Sequence, residues 1–113
     1  MKMVQEIRGD VVILRLSGQF MGGPDADAVR EQILAAIDRG LRKFLVDLGE
    51  VSWVNSTGLG ILITAHLAAT NNGGAFRLMR VSRRIESIFA TTRLDTIFRT
   101  YPDEEAALLA FAS

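Results

Sequence analysis

Residues 45–63 read Leu-Val-Asp-Leu-Gly-Glu-Val-Ser-Trp-Val-Asn-Ser-Thr-Gly-Leu-Gly-Ile-Leu-Ile, and this stretch decides the fold. The apolar run Phe44-Leu45-Val46 has the character of a central strand covered on more than one side. A short loop follows, and then Asn55-Ser56-Thr57-Gly58-Leu59-Gly60 leads into a second apolar run. Asn, Ser and Thr start helices because their side-chain oxygens accept bonds from unpaired backbone N–H groups. A strand therefore hands over to a helix here. Two hydroxyls, Ser56 and Thr57, are expected at the surface beside the positive end of a helix dipole, where a phosphate is favoured.

Outward from this point the chain alternates strands and helices. Residues 2–8 and 11–17 read as two strands joined at Gly9-Asp10, a hairpin in which Val12, Leu14 and Leu16 share a face. Gly18 to Pro24 is a loop. Residues 25–39 form a helix with Val29, Ile33 and Ile37 on one side and Gly40 as its stop. The third strand covers 43–48, and the helix after the motif runs from about Thr57 to Asn71. A strand over 75–81 follows, with Phe76 and Leu78 inward. A short helix over 83–91 carries Ile85, Ile88 and Phe89. A last strand is predicted over 97–101, and a helix opens at Pro102-Asp103-Glu104-Glu105, packed down by Leu108, Leu109 and Phe111. This order is that of an α/β fold: parallel neighbours joined by right-handed crossovers, with an antiparallel hairpin that makes the sheet mixed.

The chain has 113 residues, read as a single domain over 1–113 with a real core; 49% are apolar and 23% charged, ordinary for a soluble globular protein. Thirteen basic residues balance thirteen acidic ones, so no net charge draws the chain to nucleic acid or an anionic membrane. Cysteine is absent, which removes disulfides, thiolate nucleophiles and Cys-based zinc sites. The N-terminus has no apolar signal core, and no apolar run approaches the roughly 18–20 residues that span a bilayer. A cytoplasmic protein is expected.

Ser56 does not read as a catalytic nucleophile. The sole histidine, His66, is ten residues on, almost three turns along the same helix, and the Gly-x-Ser-x-Gly elbow is missing. Gly58-x-Gly60 is too short for a nucleotide fingerprint. No catalytic residue, metal ligand or cofactor is expected; His66 has no second ligand nearby. Ser56 is equally a good helix cap, and Thr57 reads as a helix-start residue rather than a phosphoacceptor. In the helix itself, Leu59, Ile61, Leu62, Ile63 and Ala65 surround the axis. Leu59, Leu62 and Ile63 facing the sheet would leave Ile61 and Ala65 toward the rim for a partner; burial against neighbouring helices is the alternative. Trp53 is expected to pack beneath the site, and an exposed tryptophan there would be a partner hot spot. Arg77, Arg80, Arg83 and Arg84 form a basic cluster that reads as a solvated face, or as a contact for an acidic partner or a nucleotide phosphate. Nucleic-acid binding is not expected, lacking basic excess and interleaved aromatics.

Asp47-Leu48-x-x-Val51-x-x-x-Asn55-Ser56-Thr57-Gly58-Leu59-Gly60 resembles the signature of the STAS domain, named for sulfate transporters and anti-sigma factor antagonists. The likeness extends over the chain, through Leu16-Ser17-Gly18, Gly74 and the strand after it, Ile85 to Phe89, Leu94 and Glu104-Glu105-Ala106. It implies a mixed four- to five-stranded sheet with about four helices packed mainly on one face. It further implies a stand-alone anti-sigma factor antagonist, phosphorylated at Ser56 (Thr57 being the lesser choice). The unmodified form would bind an anti-sigma factor that is itself a serine kinase, phosphorylation would release it, and a serine phosphatase would reset the switch. The partner-binding surface implied is Asn55, Thr57, Gly58, Leu59 and Ile61 with Phe20 and Met21 of the preceding loop.

Two departures bear on this. Asn55 stands where many phosphorylated members carry Asp, keeping the cap and losing a charge. The loop Gln19-Phe20-Met21-Gly22-Gly23 lacks the acid that many relatives carry near Met21; its Phe20-Met21 tip offers an apolar contact, or Phe20 tucks under the first helix. Both departures favour an alternative, a STAS adaptor that is not phosphorylated and binds an ATPase, as in lipid-transport complexes.

Overall fold

In a computed structural model, residues 1–21 and 23–112 are described. Five strands and four helices follow in the order β1 (Lys2–Arg8), β2 (Val11–Phe20), α1 (Pro24–Asp38), β3 (Lys43–Val54), α2 (Ser56–Asn71), β4 (Ala75–Met79), α3 (Arg83–Thr91), β5 (Arg99–Tyr101) and α4 (Glu104–Ala112). A 3-10 turn, Leu94–Thr96, links α3 to β5.

The sheet order is β1-β2-β3-β4-β5. β1 and β2 are antiparallel, with Arg8 opposite Val11 across a two-residue turn. Of those two residues only Gly9 has positive φ, +62°, the glycine-first pattern of a type II′ hairpin turn. Every later pairing is parallel. Each of β2 to β5 therefore ends at the same edge of the sheet, and each is followed there by the start of a helix. Four helix N-termini, with their unpaired N–H groups, gather at one end of the molecule.

Alternation along the strands divides the apolar residues between two faces. Val12, Leu14, Phe44, Val46, Phe76 and Leu78 look toward α1, α2 and α3 and form the main core with Val29, Ile33, Leu62, Ala65, Ile85 and Phe89. Val11, Ile13, Leu45 and Met79 look the other way and are covered by Ala107 and Phe111 of α4. Three helices thus share one face and α4 lies alone on the other. Leu109, expected to pack α4 down, is exposed; Ala107 and Phe111 do that work.

On the α4 face Asp47 is 3% exposed, and Arg15 and Arg80 both donate to its Oδ2, at 3.0 and 3.2 Å. The N–H of Gly49 donates to its other oxygen at 2.9 Å. Arg15 also donates to Glu6, at 3.0 and 3.1 Å, and to Glu104 at the start of α4, at 2.6 Å. Those carboxylates raise the Arg15 pKa further, and Arg15 holds the Glu6 carboxyl below its usual value. The network ties β1, β2, β3 and α4 together.

β2 and β3 run past the end expected from the sequence. The loop placed between residue 48 and Asn55 is strand, and so are Gly18, Gln19 and Phe20 of the loop placed after Ser17. Two register shifts explain why alternation concealed this: Arg15 pairs with Asp47 but Ser17 with Glu50, and Gly18 with Val51 but Gln19 with Trp53. Each inserts an extra residue in β3, a β-bulge that re-aims the side chains after it. Val51 and Val54 therefore both point into the core with Ser52 and Trp53 exposed between them. Gly22, part of the loop expected between Gly18 and Pro24, lies outside the described residues.

Candidate functional site

The handover from β3 to α2 is where the strand–helix transition was expected, and its cap is Asn55. Its Oδ1 accepts from the N–H of Gly58 at 2.9 Å, and its backbone is extended, as an N-cap requires. Its Nδ2 donates to the carbonyl of Met21 at 3.2 Å, and its N–H reaches the carbonyl of Phe20 at 3.4 Å. One side chain thus ends the helix and fastens it to the segment after β2.

Ser56 is released by this arrangement. It is the first helical residue, it is exposed, and among the described residues its hydroxyl takes part in no hydrogen bond. The capping role that the sequence offered to Ser56 belongs to its neighbour. Thr57 is exposed as well. It lines a hollow of about 360 Å³ between the N-terminal halves of α1 and α2, with Asp27, Arg30, Gly60, Ile61 and Thr64.

The apolar members of the expected surface lie deeper. Phe20 is fully buried: the end of β2 turns its ring into the core, against Gly58 of α2, so its ring offers no tip contact. Gly58 is buried because α2 passes so close to Phe20 that a Cβ there would lie 2.8 Å from the ring's Cδ1, with the Phe20 carbonyl oxygen nearer still. Leu59 and Ile61 keep only 8% and 9% of their surface, and Ala65 none, because α1 packs alongside α2. The rim once expected to expose Ile61 and Ala65 is covered. Met21 is 45% exposed, and Trp53, expected beneath the site, is 38% exposed on the protruding end of β3.

The basic cluster does not form one face. Arg77 lies 4.7 Å from the Phe111 ring centre beneath α4, Arg80 pairs with Asp47 and Glu50, and Arg84 lies over Trp53 at 5.8 Å. His66 stands edge-on to Phe76 and Phe98, each 5.9 Å away, and burial pushes its pKa below the usual histidine value. Nothing links it to Ser56, which lies about 15 Å back along the helix. Among the described residues no three of His, Asp or Glu gather as a metal set, and no helix is long and apolar enough to cross a membrane.

The sequence profile described as the STAS domain matches residues 2–107, a span that includes this handover. The chain belongs to the STAS family. A candidate anti-sigma factor antagonist of Thermotoga neapolitana is 29% identical over 72 residues, 64% of each chain, so the match spans just under two thirds of that relative. A second relative bearing that description, BtrV of Bordetella bronchiseptica, is 23% identical over 98% of this chain and 95% of its own. Among solved structures, a candidate anti-sigma factor antagonist of Thermotoga maritima superposes with a TM-score of 0.88 at 22% identity, over 98% of this chain and 95% of that one. SpoIIAA, named as an anti-sigma factor antagonist, superposes in its unphosphorylated form with a TM-score of 0.75 at 17% identity, over 98% and 97% of the two chains. The phosphorylated Bacillus SpoIIAA gives 0.75 at 20%, over 96% and 99%. The five-stranded mixed sheet with four helices is the STAS fold these proteins share.

The sequence reading did not foresee the pairing of Trp53 with Arg84, or the Asp47 network. Both are contacts between distant segments. The only local trace of the first was a tryptophan three residues from the serine.

Proposed function

We propose that this protein is an anti-sigma factor antagonist whose binding to an anti-sigma factor is switched at Ser56. The observation that carries the reading is the exposed Ser56 hydroxyl at the first position of α2, freed from capping by Asn55. A kinase can reach such a hydroxyl without unfolding the helix. A phosphate placed there adds about −1.5 to −2 charges and three acceptor oxygens. The helix N-terminus tolerates that charge, so the fold is kept. What changes is the docking surface, by repulsion, lost fit and desolvation. That the relative SpoIIAA has been solved in unphosphorylated and phosphorylated forms is consistent with such a switch.

In this reading the anti-sigma factor is a serine kinase. The unmodified protein binds it through Asn55, Thr57 and Met21, with Gly58, Leu59 and Ile61 packed beneath and holding the helix start in place. Phosphorylation releases the kinase, and a serine phosphatase restores the bound form. The protein acts as a binding module in the cytoplasm, without a catalytic role of its own. Incubation with the host's anti-sigma serine kinases and ATP, followed by mass spectrometry, tests this. One phosphate on Ser56, absent from Ser56→Ala, is expected. A protein left unmodified by all of them would favour the unphosphorylated adaptor bound to an ATPase, to which Asn55 and the missing acid near Met21 incline.

A further inference from the structure

The switch at Ser56 leaves two features unused, Trp53 and Arg84 at the start of α3, and the fold brings them together. β4 pairs only with residues 43–47 of β3, so the later part of β3 projects beyond the sheet beside the end of β2. Trp53 stands on that projection, and Arg84 reaches across from the first turn of α3 to lie 5.8 Å from the centre of its ring, within cation–π range. Met21 is exposed at the same end, tethered to the site through its carbonyl by Asn55.

Arg84 is exposed, and among the described residues it pairs with no carboxylate, although Glu86 shares its turn. It is the second residue of α3, where the helix dipole disfavours a cation. A guanidinium held against that local preference and laid on an exposed tryptophan is open to a carboxylate from outside the chain. Trp, Arg and Met are the residue types enriched at the centres of protein interfaces.

We infer that Trp53 and Arg84, with Met21 at the same end, form a second part of the docking surface and receive an acidic segment of the anti-sigma factor. The inference rests on the reading of Ser56 and adds a reason for the switch. A partner that brings a carboxylate to Arg84 meets a new negative charge when Ser56, three residues from Trp53, is phosphorylated, and like charges brought together at an interface oppose binding.

The test is calorimetric titration of the unphosphorylated protein with each purified anti-sigma serine kinase of the host, at 50 and at 200 mM salt. Arg84→Glu and Trp53→Ala are expected to weaken binding at least tenfold. Arg84→Gln should bind more weakly and lose part of the salt dependence. Arg39→Glu, at the far end of the molecule where α1 closes, should bind as the parent does. Circular dichroism checks that each variant folds, and the arginine changes carry the test if Trp53→Ala does not. Parent-like binding by Arg84→Glu and Arg84→Gln, with the parent itself binding, overturns this inference and leaves Ser56 untouched. A parent that binds none of the kinases overturns both.

Discussion

Replacing Gly58 by alanine should destabilise the protein, although alanine is the better helix former. The two effects oppose each other, and the structure decides which wins. In an exposed helix interior the exchange gains about 1 kcal/mol. At Gly58 the new methyl would enter the space held by Phe20, 2.8 Å from the ring's Cδ1 and 3.0 Å from the backbone carbonyl carbon, with the carbonyl oxygen closer. A backbone carbonyl at the end of a central strand cannot rotate aside as a long side chain can. The first turn of α2 must withdraw instead, which strains the bonds from Asn55 to the carbonyls of Phe20 and Met21, at 3.4 and 3.2 Å. Overpacking of this kind costs about 3 kcal/mol, leaving a net loss of about 2 kcal/mol. For a domain of this size that lowers Tm by about 10 °C. Gly60 is the control on the same helix: a Cβ there meets nothing within 4 Å, so Gly60→Ala should raise stability by about 0.5–1 kcal/mol. Urea unfolding followed by circular dichroism measures both. Gly58→Ala as stable as the parent, or a loss at Gly60 equal to that at Gly58, would refute the packing argument.

Other outcomes follow from the same contacts. Asn55→Ala removes the cap of α2 and should cost about 1 kcal/mol in urea unfolding, whereas Asn55→Asp keeps the acceptor and should stay within about 0.5 kcal/mol of the parent. Asp47→Ala leaves two guanidinium groups and one backbone N–H without their shared acceptor. Because Arg15 and Arg80 are partly exposed, the loss should be about 2 kcal/mol rather than the full value for a buried pair, and Asp47→Asn should lose less. His66 binds a proton less readily folded than unfolded, so protonation favours the unfolded chain. Stability should fall as pH drops below about 6.5, and the fall between pH 7.5 and 5 should shrink in His66→Leu when Tm is followed across that range.

Much of this architecture was legible because local signals agreed. The residues at 83–91 sit behind a serine whose Oγ accepts from Ile85, and the helix spans the residues that the sequence indicates. Gly9-Asp10 closes the first hairpin, and Val29, Ile33 and Ile37 are all buried. What was hidden depends on contacts between segments. Asn55, Ser56 and Thr57 can each cap a helix, and the choice of Asn55 follows the carbonyl of Met21, which holds its amide in place. The bulges in β3 break the alternation that marks a strand, so residues 49–54 read as a loop. Ile61 and Ala65 looked available because nothing in the apolar pattern of α2 announces that α1 lies against it. The C-terminal helix crosses to the opposite face of the sheet, a placement fixed by Phe111 and the Glu104–Arg15 bond rather than by any periodicity within it.

The central claim is that negative charge at residue 56 removes the binding partner while sparing the fold. Ser56→Asp and the parent, compared by calorimetric titration against the host's anti-sigma serine kinase and by thermal unfolding, test it most directly. The account predicts a Tm equal to the parent's or slightly higher, as an acid at a helix N-terminus gives. It also predicts an affinity several-hundred-fold weaker, equivalent to about 3–4 kcal/mol. An aspartate variant that binds as tightly as the parent, or one whose lost binding accompanies a lost fold, would contradict it.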